Sequence, residues 1–334
     1  MGDIVHTFPA VHLLRKSFPD CTLSWLVNDC YAELVERSPD VDDVIPFYRD
    51  RWCSPRHWGE VVDFIRKLRL ESFDVVIDFQ GLLRSGLIAF FSGSPRKIGF
   101  QDSKECAGLF YNEKILLPSN ISHAIDKNVF LVRSAFQVTE SFEMPPVKSC
   151  HHDNKTAQAL FRVHEFNMDN PVIALAPATR WASKTWSVNF YVSVLERLYQ
   201  QRPEANIWLL GGEADREMGD QIVKGCNNAG PKNFIGELNF GILIELLRAS
   251  NVILGCDSGP MHLASLLGVP VVALFGPTSP ELTGPYPRNE HTVITGNCEK
   301  RPCFEKECPL KEAVCKKSVS SDEVANALLS DIEQ

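Results

Sequence analysis

Residues 252–265 have the sequence VILGCDSGPMHLAS, and this stretch decides the fold. Val252–Leu254 is an uninterrupted apolar run of the kind found in buried strands. A tight turn over residues 255–260 follows, and a helix is predicted from Met261 to Leu267. A buried strand that ends in a tight turn and then a helix is the building block of a parallel sheet with helices on its faces.

The same alternation extends outward in both directions. Further strands are predicted at Leu23–Val27, Val75–Phe79, Val172–Ala176, Ile207–Leu210 and Val269–Phe275. Further helices are predicted at Trp58–Leu70, Leu82–Phe91, Ala124–Phe136, Val188–Tyr199, Arg216–Cys226 and Phe240–Ala249. Apolar strands that alternate with amphipathic helices indicate the α/β class, here as doubly wound domains that bind ligands at the carboxyl ends of the strands.

A polar stretch over residues 139–171 interrupts this rhythm and contains Pro145-Pro146. We interpret it as a linker followed by one lead-in helix. With 334 residues, the chain is also long for one core. We therefore predict a first domain over residues 1–150 and a second over 151–334, the latter with a cysteine-rich segment at 298–315 and a terminal helix.

Charge and composition exclude several classes of protein. The formal net charge of −8 argues against a general nucleic-acid binder. Apolar runs are too short for a transmembrane helix, and the start of the chain lacks a signal-peptide pattern, so a cytoplasmic location is expected. Basic residues cluster in the first third, as solvated surface or as a pocket for an anionic acceptor: Arg49, Arg51 and Arg56; Arg66, Lys67 and Arg69; Arg96, Lys97 and Lys104.

The turn after Val252–Leu254 has the features of an anion site. Backbone N–H groups of Ser258, Gly259 and Met261 precede or open a helix, whose dipole favours negative charge. Gly259 lets the backbone approach a diphosphate closely. His262, one turn into the helix, contacts phosphate or only packs; the sequence leaves both open.

Two more turns follow strands in the second half. Residues 179–186 supply hydroxyls at Thr179, Ser183 and Thr185 and a cation at Lys184, which suit phosphate oxygens. Glu213 and Asp215 hold ribose hydroxyls or simply start a helix.

Polar groups in the first half are less specific. Asp3 precedes a predicted helix from about Val5 to Lys16, where it serves as a base or as an ordinary N-cap. Gln80, Gly81 and Arg84 follow a strand and either contact an acceptor or form a turn with a solvated cation.

Together these motifs resemble glycosyltransferase family nine, the ADP-heptose:lipopolysaccharide heptosyltransferases, over nearly the whole chain. The stretch Asp257–Ala264 is similar to the family signature, and residues 96–112 are most similar to heptosyltransferase I. The other matching motifs are Gly276-Pro277-Thr278, Arg180…Lys184…Trp186, Gly2-Asp3…His6-Thr7 and Asp78…Gln80-Gly81.

The resemblance implies a GT-B fold, in which two Rossmann-like domains face a cleft. It implies an inverting, metal-independent transfer of heptose from ADP-heptose to the Kdo or inner-core region of a lipid A-Kdo type acceptor. No cofactor is required. The enzyme is expected to be a monomer, with peripheral contact to the inner membrane.

The resemblance also implies roles for particular residues. Asp3 is the expected general base, and Lys184 stabilises the leaving diphosphate. The expected donor-binding residues are Thr179, Arg180, Lys184, Glu213, Asp215, Asp257, Ser258, Gly259, Pro260, Met261 and His262. The expected acceptor-binding residues are His6, Gln80, Gly81, Arg84, Arg51 and Lys104.

The sequence departs from the family pattern in two places. Members begin with a strand before the Gly-Asp, whereas only Met1 precedes Gly2 here. We expect a start upstream of Met1, and without that strand the role of Asp3 is open. The second departure is the spacing of Cys298, Cys303, Cys308 and Cys315, which fits structural zinc, disulfides or thiols.

Other functions remain as alternatives. A family member with a different sugar or acceptor fits the same motifs, and so does a degenerate, non-catalytic ADP-sugar binder. A Rossmann oxidoreductase is disfavoured because neither half begins with Gly-x-Gly-x-x-Gly after a strand.

Overall fold

A computed structural model describes residues 1–226, 230–310 and 313–332. The chain divides into two compact units. The first unit comprises His6–Pro146, and the second comprises Val147–Gln334 together with Met1–Val5. A one-turn helix, α1 (Gly2–Val5), therefore belongs to the second unit, and it carries Asp3. The predicted boundary after residue 150 lies four residues from this division.

The first unit holds two small parallel sheets. The described helices are α2 (Phe8–Ser17), α3 (Ala32–Glu36), α4 (Arg49–Trp52), α5 (Trp58–Leu70), α6 (Leu83–Phe91) and α7 (Ala124–Phe136). The strands are β1 (Ser24–Asn28), β2 (Asp43–Phe47), β3 (Val75–Asp78), β4 (Arg96–Phe100) and β5 (Glu113–Ile115). Strands β1 and β2 form one sheet and β3, β4 and β5 the other, so β1 and β3 do not pair with each other.

The start of the first unit differs from the single helix predicted over residues 5–16. Helix α1 ends at Val5, and α2 begins at Phe8 with Pro9 in its first turn. Proline lacks an N–H group and disfavours helical geometry in the residue before it, so it suits a helix start and not an interior. Asn128 on α7 donates its amide to the carbonyl of His6 and to Thr7 Oγ1, which fixes the entry to α2.

The second unit holds one six-stranded parallel sheet with the order β11-β10-β9-β6-β7-β8. The strands are β6 (Val172–Ala176), β7 (Asn206–Leu209), β8 (Lys232–Asn233), β9 (Val252–Cys256), β10 (Val271–Phe275) and β11 (Thr292–Thr295). The helices are α8 (His151–Val163), α9 (Val188–Gln201), α10 (Arg216–Gly225), α11 (Phe240–Arg248), α12 (Gly259–Leu266), α13 (Pro280–Thr283), α14 (Val314–Lys317) and α15 (Ser321–Ile332).

The four central strands of this sheet are buried along their whole length. Helices cover the sheet, as the apolar runs predict. The core includes Leu175, Leu195, Leu209, Leu254 and Leu328, the last from the predicted terminal helix α15. In the described parts of the chain, no helix is long and apolar enough to cross a membrane.

Candidate functional site

The candidate donor site lies where the sheet of the second unit reverses its strand order. From β6 the chain runs outward to β7 and β8, then returns to β9 on the other side of β6. Strands β6 and β9 are hydrogen-bonded neighbours, with Ala176 opposite Gly255. Loops that leave the carboxyl ends of such strands diverge, and the crevice between them is where doubly wound sheets bind ligands.

Asp257, the first residue after β9, is the centre of this site. Its carboxylate lies 2.6 Å from Lys184 Nζ in the loop after β6, and 3.2 Å from His262 Nε2 on α12. Thr283 donates its hydroxyl to the same carboxylate at 3.3 Å. Residues that are 73 positions apart in the chain thus form one buried charged cluster.

Electrostatics keep Asp257 ionised. Burial disfavours its charged form, but the hydrogen bond and charge of His262 and the charge of Lys184 outweigh burial, so its pKa lies below the usual range. Lys184 also lies 4.5 Å from the centre of the Trp181 ring. The cation is therefore held between a carboxylate and an aromatic face.

Helix α12 begins beside this cluster. Ser258 is its N-cap, and its buried Oγ makes no hydrogen bond within the described residues. The same holds for Thr278 Oγ1 in the loop after β10. A buried N-cap hydroxyl without a protein partner, next to the N–H groups of a helix start, is suited to an oxygen-rich ligand.

The N-terminal residues pack against the start of α12. A Cβ added to Gly2 would lie 3.0 Å from the ring of His262, and one added to Gly259 would lie 2.8 Å from Met1. Asp3 is exposed in the single turn α1. Asp3, the predicted base, therefore directly follows a residue that packs against His262 of the donor motif.

Other predicted donor residues have structural partners or lie apart. Thr179 Oγ1 donates to the carbonyl of Trp181 and accepts from the N–H of Trp181, so the hydrogen bonds of this hydroxyl stabilise the loop that contains it. Arg180 is exposed. Glu213 and Asp215 form a 3₁₀ turn after β7, with the Glu213 backbone pressed against Gly236. Pro260 is in the first turn of α12, and Met261 is fully buried there.

The candidate acceptor loop of the first unit is built on Asp78 at the end of β3. Its carboxylate accepts the N–H groups of Gln80 and Gly81 and the hydroxyl of Tyr111. Gly81 adopts a φ of +64°, which favours glycine. Its carbonyl accepts the N–H of Lys104. Gln80, Gly81 and Lys104 are therefore brought together, as the sequence predicts for residues of one site.

The remaining predicted acceptor residues are more dispersed. Arg84 extends toward the Phe47 ring, with 5.9 Å between guanidinium carbon and ring centre. Arg51 pairs with Glu60 on the surface. His6 is buried edge-on to the His123 ring, so its imidazole is part of the core.

Part of the basic cluster has structural partners. Arg96 binds Glu113 through two hydrogen bonds and lies over the Phe136 ring. Lys97 donates to the carbonyl of Ser94. These two cations therefore stabilise the β4 region. Arg66, Lys67 and Arg69 are exposed on α5, where Arg66 pairs with Asp63 and Arg69 donates to the carbonyl of Phe91.

The cysteine-rich segment packs beside the donor site, and Lys311 and Glu312 within it lie outside the described residues. Cys298, Cys303, Cys308 and Cys315 line one small cavity together with Ser183 and Gly276. Burial and the nearby thiols of Cys298 and Cys308 raise the pKa of Cys315. Among the described residues no disulfide forms, and no three potential metal ligands are grouped around one point. Structural zinc at these thiols stays a prediction.

Three contributors were absent from the residue-level predictions. Thr283 completes the Asp257 cluster, and Tyr111 completes the Asp78 loop. Arg301 donates to the carbonyls of Gly276 and Thr278, and so ties the cysteine-rich segment to the loop after β10. A single threonine, tyrosine or arginine has no local signature for such a contact, so only the tertiary structure reveals these partners.

Comparison with solved structures defines the class. The structure superposes on a family 9 glycosyltransferase from Veillonella parvula with a TM-score of 0.86, at 22% identity, covering 100% of this chain and 94% of that one. It matches the E. coli heptosyltransferase WaaC solved with ADP-2-deoxy-2-fluoro heptose with a TM-score of 0.75, at 20% identity, covering 99% and 96%. The protein thus has the GT-B fold of glycosyltransferases.

Sequence comparison gives the family. The model of glycosyltransferase family 9 (heptosyltransferase) matches residues 61–314, and the chain belongs to this family. It is 27% identical over 318 residues to lipopolysaccharide heptosyltransferase 1 of Pseudomonas aeruginosa, covering 92% of this chain and 84% of the relative. The predicted family and enzyme class are confirmed.

Proposed function

We propose that the protein transfers heptose from ADP-heptose to the Kdo or inner-core region of a lipopolysaccharide precursor, with inversion and without a metal ion. The observation that carries this proposal is the cluster of Lys184, Asp257 and His262 at the start of α12, in the crevice between β6 and β9. The similarity to a lipopolysaccharide heptosyltransferase supports the choice of sugar and acceptor.

The chemistry requires an anion site for the leaving group. An acceptor hydroxyl attacks the anomeric carbon, its oxygen–carbon bond forms as the carbon–oxygen bond to the diphosphate breaks, and ADP departs with the bonding electrons. Lys184 and the N–H groups at the start of α12 stabilise the charge that develops on the diphosphate. Ser258 and Thr278 offer hydroxyls to its oxygens.

The attacking hydroxyl must also lose a proton. Asp3 is the proposed base, and a positioned carboxylate contributes about 10²–10⁴-fold in rate. Gln80, Gly81 and Lys104 are the proposed acceptor contacts, because they share one loop cluster in the first unit. Asp78 and Tyr111 hold that cluster in place.

The test is ADP release from ADP-heptose with and without a Kdo-lipid A acceptor. We expect acceptor-dependent release that survives EDTA, and a loss of about 10²–10³-fold in kcat for Lys184→Ala. Lys155→Ala is the matched control, since Lys155 is an exposed lysine on α8 of the same unit. Acceptor-independent or EDTA-sensitive release would contradict the proposal.

A second measurement separates the base from the donor site. Asp3→Asn is expected to lower kcat while ADP binding stays unchanged, with Asp20→Asn, an exposed position, as control. ADP binding with no transfer to any Kdo acceptor would favour the non-catalytic ADP-sugar binder, for which the exposed position of Asp3 in a single turn is the relevant observation.

A further inference from the structure

The loop that contains Lys184 is attached to the cysteine-rich segment. Lys184 is the last residue of a 3₁₀ turn, Ala182–Lys184, in the loop after β6. Ser183, at the centre of this turn, is buried. It donates its hydroxyl to the carbonyl of Glu305 at 2.6 Å and its N–H to the carbonyl of Lys306 at 3.1 Å. Segments about 122 positions apart in the chain are thus joined directly beside Lys184.

Lys316 on α14 makes a second attachment to the same turn. Its Nζ lies 3.0 Å from the carbonyl oxygen of Ala182 and 2.7 Å from that of Thr185. These two carbonyls flank Ser183 and Lys184, so one cation spans the two ends of the segment that presents Lys184. Lysine side chains commonly satisfy the carbonyls at the end of a helical turn, and hydrogen bonds from a charged donor are stronger than neutral ones.

Helix α14 is itself fixed in place next to Lys316. The preceding residue, Cys315, is buried, and a Cβ added to Gly276 would lie 3.5 Å from its Sγ. The hydroxyl of Ser318 donates to the Cys315 carbonyl at 3.0 Å and accepts the N–H of Asn297 at 2.6 Å. The lysine therefore extends from a backbone that packing and hydrogen bonds hold on both sides.

The position of the turn determines what the Lys184 ammonium reaches. Its Nζ lies 2.6 Å from the carboxylate of Asp257, which follows β9 and directly precedes the N-cap of α12. In the proposed function this ammonium stabilises the diphosphate of the nucleotide. A misplacement of about 1 Å in an active site can cost about 10²-fold in rate. A residue that fixes the turn therefore governs the contact between Lys184 and the diphosphate.

We propose that Lys316 is a positioning residue of the donor site, which holds the turn so that the Lys184 ammonium reaches the diphosphate of the bound nucleotide. The inference rests on the role that the proposed function gives to Lys184. Two of the three N–H groups of the Lys316 ammonium are directed to the Ala182 and Thr185 carbonyls, so its effect on the nucleotide passes through Lys184.

The test measures the affinity for ADP and for adenosine by isothermal titration calorimetry, which needs neither acceptor nor turnover. Lys316→Met keeps the aliphatic stem and removes the charge and the donors. It is expected to weaken ADP binding by about tenfold, whereas adenosine, which lacks the diphosphate, binds as it does to the unaltered chain. Lys316→Arg keeps a cation with several donors and is expected to retain most of the ADP affinity.

A double-mutant cycle shows whether Lys316 acts through Lys184. In the Lys184→Ala background the diphosphate has already lost this contact, so adding Lys316→Met is expected to change ADP affinity by less than about twofold. Lys300→Met is the matched control, because Lys300 is an exposed lysine of the cysteine-rich segment, and it is expected to bind ADP like the unaltered chain. Circular dichroism establishes that each variant is folded. Lys316→Gln, which keeps an amide donor, replaces Lys316→Met in the cycle if the latter does not fold.

Three results would overturn the proposal: equal losses of ADP affinity from Lys316→Met with and without Lys184, a parallel loss of adenosine affinity, or binding by Lys316→Arg as weak as by Lys316→Met. An unchanged ADP affinity in Lys184→Ala would overturn the role of Lys184 and the positioning role of Lys316 with it. The expected pattern of ADP binding without any transfer of heptose would support the positioning of Lys184 and refute the proposed transfer.

Discussion

Asp257→Asn is the most informative change to the donor site. The Asp257 carboxylate neutralises Lys184, pairs with His262 and accepts a hydrogen bond from Thr283. The substitution keeps the size of the side chain and removes its charge. Lys184, whose side chain is 16% exposed, is then left in the crevice without its counter-ion. Removing one partner of a buried ion pair costs about 3–5 kcal/mol.

The expected loss of stability can be measured as a drop in melting temperature. A unit of this size loses about 2–4 °C per kcal/mol, so 3 kcal/mol corresponds to a drop of about 6–12 °C. The matched control is Glu237→Gln, because Glu237 pairs with Arg216 while both side chains are almost half exposed. Exposed pairs contribute at most about 1 kcal/mol, so a drop of no more than about 2–4 °C is expected there.

Differential scanning fluorimetry with and without ADP completes the assay. ADP is expected to raise the melting temperature more in Asp257→Asn than in the unaltered protein, because its diphosphate supplies the anion that Lys184 has lost. Equal losses in Asp257→Asn and Glu237→Gln would refute the argument from burial. A smaller ADP shift in Asp257→Asn would refute the view that Lys184 exchanges a carboxylate for a phosphate.

Two further predictions concern pH and the acceptor loop. The lowered pKa of Asp257 means that its contribution to the free energy of unfolding is complete above the unfolded value of about 3.9 and disappears as pH falls through the native value. The stability difference between the unaltered protein and Asp257→Asn, measured by urea unfolding, is therefore expected to shrink as pH falls below about 4; a difference that grows as pH falls below about 4 would contradict this sign. Tyr111→Phe leaves one oxygen of the buried Asp78 without the hydroxyl 2.5 Å away and is expected to cost about 1.5–3 kcal/mol in urea unfolding and to raise the KM for the acceptor. Tyr48→Phe, at a side chain that is 42% exposed, is the matched control, and an unchanged KM for the acceptor in Tyr111→Phe would separate the Asp78 loop from acceptor binding.

Much of the fold was accessible from the sequence because periodicity reports burial. Strand β6 and helices α5 and α7 have the predicted bounds, since their apolar residues recur at strand or helix spacing without interruption. Strands β2 and β4 were not predicted. One contains Pro46 and begins with an aspartate, and the other begins with Arg96-Lys97. Such short strands owe their geometry to their neighbours and not to local pattern.

The candidate site was likewise only partly predictable from the sequence. The turn at Ser258-Gly259 and the loop at Lys184 could be predicted, because glycine, hydroxyls and a cation directly after a strand are a local pattern typical of an anion site. The pairing of Lys184 with Asp257 could not, because it depends on the adjacency of β6 and β9. Whether His262 contacts phosphate or packs was open in the sequence, and the structure gives it a carboxylate partner.

The adjacency of β6 and β9 has a consequence for the order of events during synthesis. β7 and β8 lie on the other side of β6, so about 75 residues emerge from the ribosome between the strand that precedes Lys184 and the strand that brings Asp257 beside it. A nascent chain that stops before Val252 leaves one edge of β6 unpaired. We expect retention on ADP-agarose to begin only after β9 and the start of α12 have emerged, because Asp257 and the N-terminus of α12 belong to the donor site.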